Sequence, residues 1–355
     1  MRSALTTPMA LTAPAGRQSP ASLLPRVPGL HRAWPQEDGS ITFEAIDEAD
    51  GSLRAGRIGS AGRWSLAPYA TDPALPDLSP EADGDLVVHR LGRRAVVIGA
   101  SRVRKLVRPG RARRLAPPEA LRPFRLSGLR TAEVIERGSS HISLELLPGR
   151  SLHDLGDEGM AGWERLARAW PAVVRATAAL PRHTAAHETA VLRAWFDRTR
   201  ATGALDVLDA LAGRGRIERE VERACAALGE AGGPLVVSHR DLHDGQLLWD
   251  GRELSLLDLD TAATAEAALD LGNLAAHVDL MRIQGRLGPE AHSRVLGLLD
   301  DVAARLPTDS QRLRAYRAAS LLRLALIHVF RPGAGPWLAA WTHHVLHTTT
   351  ERRPS

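Results

Sequence analysis

Val236-Val237-Ser238-His239-Arg240-Asp241-Leu242-His243-Asp244-Gly245-Gln246-Leu247-Leu248, followed shortly by Leu256-Leu257-Asp258-Leu259-Asp260, is the stretch whose reading decides the fold. An apolar run of β character delivers a His-x-Asp loop, an amide follows five residues after Asp241, and a second apolar run ends in Asp258. Acid, amide and acid at this spacing are the parts that phosphoryl transfer needs. One carboxylate receives the proton of an attacking hydroxyl, and an amide with a second carboxylate holds Mg2+ on the phosphates. A lone His-Arg-Asp triplet would read as an ordinary capping turn; the two oxygen ligands downstream set this one apart.

One upstream residue answers to this stretch. Lys105 is the sole lysine among 46 basic residues. A planar guanidinium serves wherever else a cation is needed, so Lys105 marks a place for a compact ammonium, such as the phosphates of a nucleotide bound from a strand. It lies in the third of three strand-like runs, residues 85–90, 95–98 and 102–107. Alternation there puts Val103, Lys105 and Val107 on one face, which directs Lys105 into a cleft. Gly92, in the turn between the first two runs, stands where a phosphate-covering loop belongs, although the turn is not G-x-G-x-x-G and no Walker A sequence occurs. Glu119, at a helix start after Pro117-Pro118, is the acid expected to pair with Lys105, with Glu133 as its competitor. Strands over 131–136 and 141–147 lead to Pro148-Gly149, and the backbone at 145–147, Leu147 included, is the expected hinge against adenine.

Composition is that of a soluble globular chain large enough for two lobes: 355 residues, 44% hydrophobic and 25% charged. The net charge is +5, with 22 basic and 15 acidic residues up to Arg150, so the basic half is the one assigned to the nucleotide. The basic run 102–114 lacks interleaved aromatics, which argues against a nucleic-acid partner. Cys225 is the only cysteine; it excludes an intramolecular disulfide, suits a reducing cytoplasm, and reads as a buried helical thiol. No apolar run approaches the roughly 18 residues of a membrane span. Residues 1–30, broken by five prolines, read as a disordered tail rather than a signal peptide. The pairs His183/His187 and His343/His347 lack a third ligand and read as helix surface rather than zinc sites.

Residues 40–68 suggest a small β-meander of uncertain role. After residue 150 the period changes to 3.6, with helices expected over 162–180, 187–201, 204–212, 217–228, 269–282, 291–305, 310–330 and 337–347. Strands in front and helices behind make an α+β, two-lobe layout. The expected division is a nucleotide-binding lobe over 31–147, its part 31–84 of unassigned role, and a helical catalytic and substrate lobe over 148–355.

His239-Arg240-Asp241-Leu242-His243-Asp244-Gly245-Gln246, Leu257-Asp258-Leu259-Asp260 and Leu269-Asp270-Leu271-Gly272-Asn273-Leu274 together resemble the aminoglycoside phosphotransferase and choline kinase branch of the protein-kinase-like fold. The resemblance covers about residues 85–330 and implies an ATP- and Mg2+-dependent kinase of small hydroxyl compounds, such as a sugar, an amino alcohol or an aminoglycoside-like acceptor. It implies Asp241 as catalytic base, Gln246, Asp258 and Asp260 at the metal, and His239, His243 and Asp270 as supports. Gln246 stands where the family has Asn, and Arg240 where it has Gly. With the missing glycine loop, Gln246 leaves a non-catalytic nucleotide-binding module as the alternative, and Arg240 opens a protein-kinase reading. A protein kinase is the lesser one, because only eleven residues separate Asp258 from Asp270, too few for a peptide-docking segment. Nothing in the sequence specifies an oligomeric state.

Overall fold

Alternating apolar positions pair the front half into two antiparallel sheets, and the longer period makes the back half helical. The computed structural model describes residues 18–81 and 83–350. The first sheet runs in chain order: β1 (Leu30–Pro35), β2 (Ile41–Ile46), β3 (Leu53–Ile58) and β4 (Trp64–Leu66). The second comprises β5 (Asp85–Arg90), β6 (Arg94–Ile98), β7 (Arg102–Val107), β8 (Val134–Arg137) and β9 (His141–Glu145), in the order β5-β6-β7-β9-β8. Helix α1 (Pro118–Leu126) is inserted between β7 and β8. Lys105 is paired with Val96 on one side and Ile142 on the other, at the middle of this sheet.

Two short ladders carry the conspicuous loops of the back half. One joins β10 (Arg150–Ser151), β12 (Leu247–Trp249) and β13 (Leu254–Leu256); the other pairs β11 (Leu235–Ser238) with β14 (Ala263–Glu266). Around them stand α2 (Leu152–Leu155), α3 (Met160–Arg175), α4 (Ala185–Ala201), α5 (Leu205–Ala212), α6 (Arg216–Leu228), α7 (Ala267–Ile283), α8 (Pro289–Ala303), α9 (Ser310–His328) and α10 (Leu338–Thr350). Each of the eight expected helices is present, with ends displaced by a few residues. Cys225 is buried in α6. Among the described residues no helix is long and apolar enough to cross a membrane.

Helix α7 is the axis of this half. Leu271, Leu274, Val278 and Met281 face a core with Trp163, Trp170 and Phe124, while Leu269, Ala276 and Leu280 face a second core with Tyr316 and Trp341. A helix apolar all round belongs inside the protein. Gly272 lets α7 approach α9: a Cβ there would lie 2.7 Å from Arg317 N and 2.9 Å from Tyr316 C.

The expected tail needs correction. Residues 1–17 lie outside the described residues, but Pro20–Arg26 form a 3-10 helix. Leu23, Leu24 and Val27 are buried with Phe43, Ile58, Ala204 and Phe330. Apolar side chains spaced among the prolines dock on the first sheet, so this segment is part of a core. The same sheet spans both halves. Arg32 Nη2 donates to Val87 O of β5 (2.8 Å), and Arg331, just beyond α9, donates to Ala33 O (2.5 Å) with its guanidinium 5.2 Å from the Trp34 ring.

Because the Gly272 contact is with backbone, Gly272→Ala is expected to force α7 away from α9 and destabilise the protein by roughly 1–3 kcal/mol. Urea unfolding followed by tryptophan fluorescence measures this; an unchanged midpoint would contradict the close approach.

Candidate active site

A cavity of about 610 Å3 lies between the five-stranded sheet and the β12–β13 ladder. Val96, Val103, Lys105 and Leu144 line it from the sheet, Leu147 from the connection between the halves, and Gln246, Leu256, Asp258 and Asp260 from behind. The face carrying Val103, Lys105 and Val107 does point into the cleft. A wider groove of about 840 Å3 beside α4 and α6, lined by Arg193, Glu222 and Cys225, holds none of these groups.

At the polar end of the cavity Lys105 Nζ donates to Asp258 Oδ1 (2.8 Å) and to Asp260 Oδ2 (2.7 Å). The second oxygen of Asp260 accepts the Ala116 N–H (2.8 Å). Burial alone would lower the Lys105 pKa, but the two carboxylates outweigh it and raise it. Burial also opposes ionisation of Asp258, yet the Lys105 charge and hydrogen bonding hold its carboxyl well below the usual range. For Asp260, burial and the neighbouring Asp258 carboxylate push the pKa up.

Backbone geometry brings the two acids to one ammonium. Asp258 is left-handed (φ 54°, ψ 50°), and Leu259–Thr261 form a single 3-10 turn, so the chain leaves the extended form of β13 here. A non-glycine residue in that region carries strain, and such strain gathers at functional sites.

The loop after β11 is held from beneath. Asp270, 2% exposed, accepts hydrogen bonds from Ser238 Oγ (2.7 Å), His239 N (2.8 Å) and Arg240 N (2.8 Å). Asn273 Nδ2 donates to Leu242 O (2.9 Å), and its own oxygen accepts from Arg323 (2.7 Å). His239 is buried; its Nε2 meets Leu257 O at 2.8 Å, while Nδ1 accepts the Asp241 N–H at 3.2 Å, so Nε2 carries the proton. One imidazole thus ties the Asp241 loop to the Asp258 segment. The His243 Nδ1 accepts from Gly245 N (3.1 Å), and its ring stacks on His277 with centroids 4.6 Å apart. Arg240 has φ 71°, in the left-handed region where the resembled family has Gly. His239, His243 and Asp270 each accept a backbone N–H of this loop.

Lys105, Leu147, Gln246, Asp258 and Asp260 converge on one cavity. Asp241 is exposed, on the loop beside it and outside its lining. Two expectations do not meet it. Glu119 is exposed in the first turn of α1, and the ion pairs of Lys105 are with Asp258 and Asp260; Glu133 pairs instead with Arg125 (3.1 Å). The helix that carries Glu119 docks its N-terminal approach, through Ala116, on Asp260, which leaves the Glu119 side chain facing solvent. Gly92 is a tight hairpin turn outside the cavity lining; its N–H is taken by Asp72 (2.6 Å) and its carbonyl by Arg108 (2.6 Å). The Ala116 amide and Phe124, whose ring lies 6.3 Å from that of His239, carry no signal in sequence because neither residue type announces chemistry.

Two predictions test this geometry. With the side chain removed in both cases, Arg240→Gly is expected to be more stable than Arg240→Ala by about 1 kcal/mol, because only glycine accepts φ 71° freely. Equal stability would remove the strain argument. Asp258, and Asp279 held by Arg317 at 2.6 Å and His292 at 3.0 Å, both have depressed pKa values. Such carboxylates contribute stability above their unfolded pKa of about 4 and lose it as pH falls through the folded value. Stability is expected to decline below about pH 4. Asp279→Asn should lower stability at pH 7 and flatten that acid limb in equilibrium unfolding; an unaltered limb would count against it.

Residues 142–316 match the Phosphotransferase enzyme family (APH). No curated protein matches the chain. Among solved structures, a thermostable mutant of aminoglycoside phosphotransferase APH(4)-Ia, in a ternary complex with AMP-PNP and hygromycin B, aligns over 77% of this chain and 97% of its own with 14% identity and TM-score 0.51. A glucosamine kinase in complex with glucosamine, ADP and inorganic phosphate aligns over 95% and 97% with 18% identity and TM-score 0.46. A choline/ethanolamine kinase family protein from Mesorhizobium loti aligns over 78% and 90% with 17% identity and TM-score 0.45. The segment 142–316 is accordingly similar to the phosphotransferase family, and it is carried on a two-lobe, protein-kinase-like fold with a strand-rich front and a helical back.

Proposed function

We propose that this protein is an ATP-dependent O-phosphotransferase that moves the γ-phosphate of ATP to a hydroxyl of a small molecule. The observation that carries the reading is the Lys105–Asp258–Asp260 cluster in a largely aliphatic cavity, with Gln246 in the same lining. The donor set fits Mg2+, which takes oxygen ligands from carboxylates and amides beside substrate phosphates. The aliphatic end, with Val96, Val103, Leu144 and Leu147, fits a planar base. The related fold that holds AMP-PNP supports an adenine nucleotide.

Gln246, Asp258 and Asp260 would hold Mg2+, which supplies neutralisation of charge on the phosphates. Lys105 contributes a fixed positive charge to the same phosphates. Asp241, outside the cavity lining and open to solvent, receives the proton of the acceptor hydroxyl and orients it for attack. His239 sets the distance between Asp241 and the metal-holding segment through its two ring nitrogens. Catalysis in this scheme is positioning and charge neutralisation.

The acceptor is read as a sugar, an amino alcohol or an aminoglycoside-like compound. Asp258 is followed directly by the Leu259–Thr261 turn, β14 and α7, so the chain offers no segment there for docking a peptide. The test is ADP release across a panel of such compounds with Mg2+ present. Asp241→Asn is expected to lower kcat by roughly 10²–10⁴-fold while nucleotide affinity stays unchanged in calorimetry. Turnover retained at the wild-type level by Asp241→Asn would sink the reading, and nucleotide binding without turnover on any acceptor would favour a binding module.

A further inference from the structure

Beneath the loop that carries Asp241 lies a group of side chains that phosphoryl transfer does not use. Asp244 is 3% exposed, and its two oxygens are treated unequally. Oδ2 meets His153 Nδ1 at 2.6 Å. Oδ1 is buried with no hydrogen-bond partner among the described residues, although His277 Nδ1 lies 3.4 Å away and His243 Nδ1 4.0 Å away, neither aligned as a donor. An ionised oxygen buried in that state is costly unless something positive completes it. One ligand atom from each of His243, Asp244 and His277 lies within 4.8 Å of the others.

We propose that His243, Asp244 and His277 form a binding site for a divalent transition-metal ion of the zinc class, separate from the Mg2+ site. Two imidazoles and one carboxylate are a borderline-soft set that suits Zn2+ rather than Mg2+, whose preference is for oxygen alone. Ligand atoms around tetrahedral zinc sit about 3.3 Å apart, given bonds near 2.0–2.1 Å. The His277–Asp244 pair already has that separation, and His243, whose Nδ1 lies 4.0 Å from Asp244, closes the set by turning its ring. Its Nδ1 accepts the Gly245 N–H, which leaves Nε2 for the metal. His153 on the far oxygen of Asp244 fixes the carboxylate in the way that outer hydrogen bonds orient metal ligands. Both imidazoles keep some exposure, so a water completes the fourth position. Occupancy would clamp the loop two residues past Asp241 onto α7. The inference stands on these residues and not on the kinase reading.

The test is calorimetric titration of chelator-treated full-length protein with Zn2+ in excess Mg2+, which occupies the other carboxylates. One equivalent is expected, bound at least tenfold more weakly by His277→Ala. No stoichiometric uptake by the wild type would overturn the site, as would unchanged uptake by His277→Ala, since exposed histidines elsewhere would then be the ligands. Should His277→Ala fail to fold, the Co2+-loaded wild type decides: intense tetrahedral absorption bands support the site, and a weak octahedral spectrum overturns it.

Discussion

One ammonium and two carboxylates, supplied from opposite halves of the chain, organise this molecule. Lys105 comes from the middle of the five-stranded sheet, and Asp258 and Asp260 from the turn behind β13, more than 150 residues later. Taking such ions out of water is expensive, and the cluster repays that cost only because each charge has close partners. Without Lys105, two carboxylates would face each other in a cleft that penalises both. This dependence explains why the position holds the only lysine of an arginine-rich protein. A compact ammonium sits between two acids where a guanidinium would splay them apart.

The rest of the site is built to keep that cluster in register with Asp241. Asp270 takes three hydrogen bonds from the loop, and α7, which carries Asp270, is gripped between two cores. The rigidity of α7 is thus transmitted to the loop. His239 links the loop to Leu257, next to Asp258. Strain at Arg240 and Asp258 persists because the surrounding bonds over-determine those conformations. The first sheet adds a second bridge between the halves, Arg32 of β1 bonding to β5 and Arg331, beyond α9, bonding to β1.

Much of this was legible in the residues themselves. The 2.0 and 3.6 periods located nearly every strand and helix, since burial of one face is a local pattern. The acid-amide-acid spacing picked out Gln246 and Asp258, the family resemblance added Asp260, and the singular lysine picked out Lys105. Glu119 was misassigned because its helix position was readable and its direction was not. The ordered segment at Pro20–Arg26 was hidden by its prolines, whose effect on helix propensity says nothing about docking on a sheet.

The sequence by itself determined the two-lobe layout, the chemistry-bearing residue types and their order along the chain, because these follow from local periodicity and side-chain chemistry. Only the tertiary structure decided that Asp258 and Asp260 share Lys105, that Ala116 donates to Asp260, and that His277 stacks on His243 beside Asp244. Those contacts join residues far apart in the chain. They depend on the left-handed turn at Asp258 and on how α1 and α7 pack, neither of which is encoded in any short window of sequence.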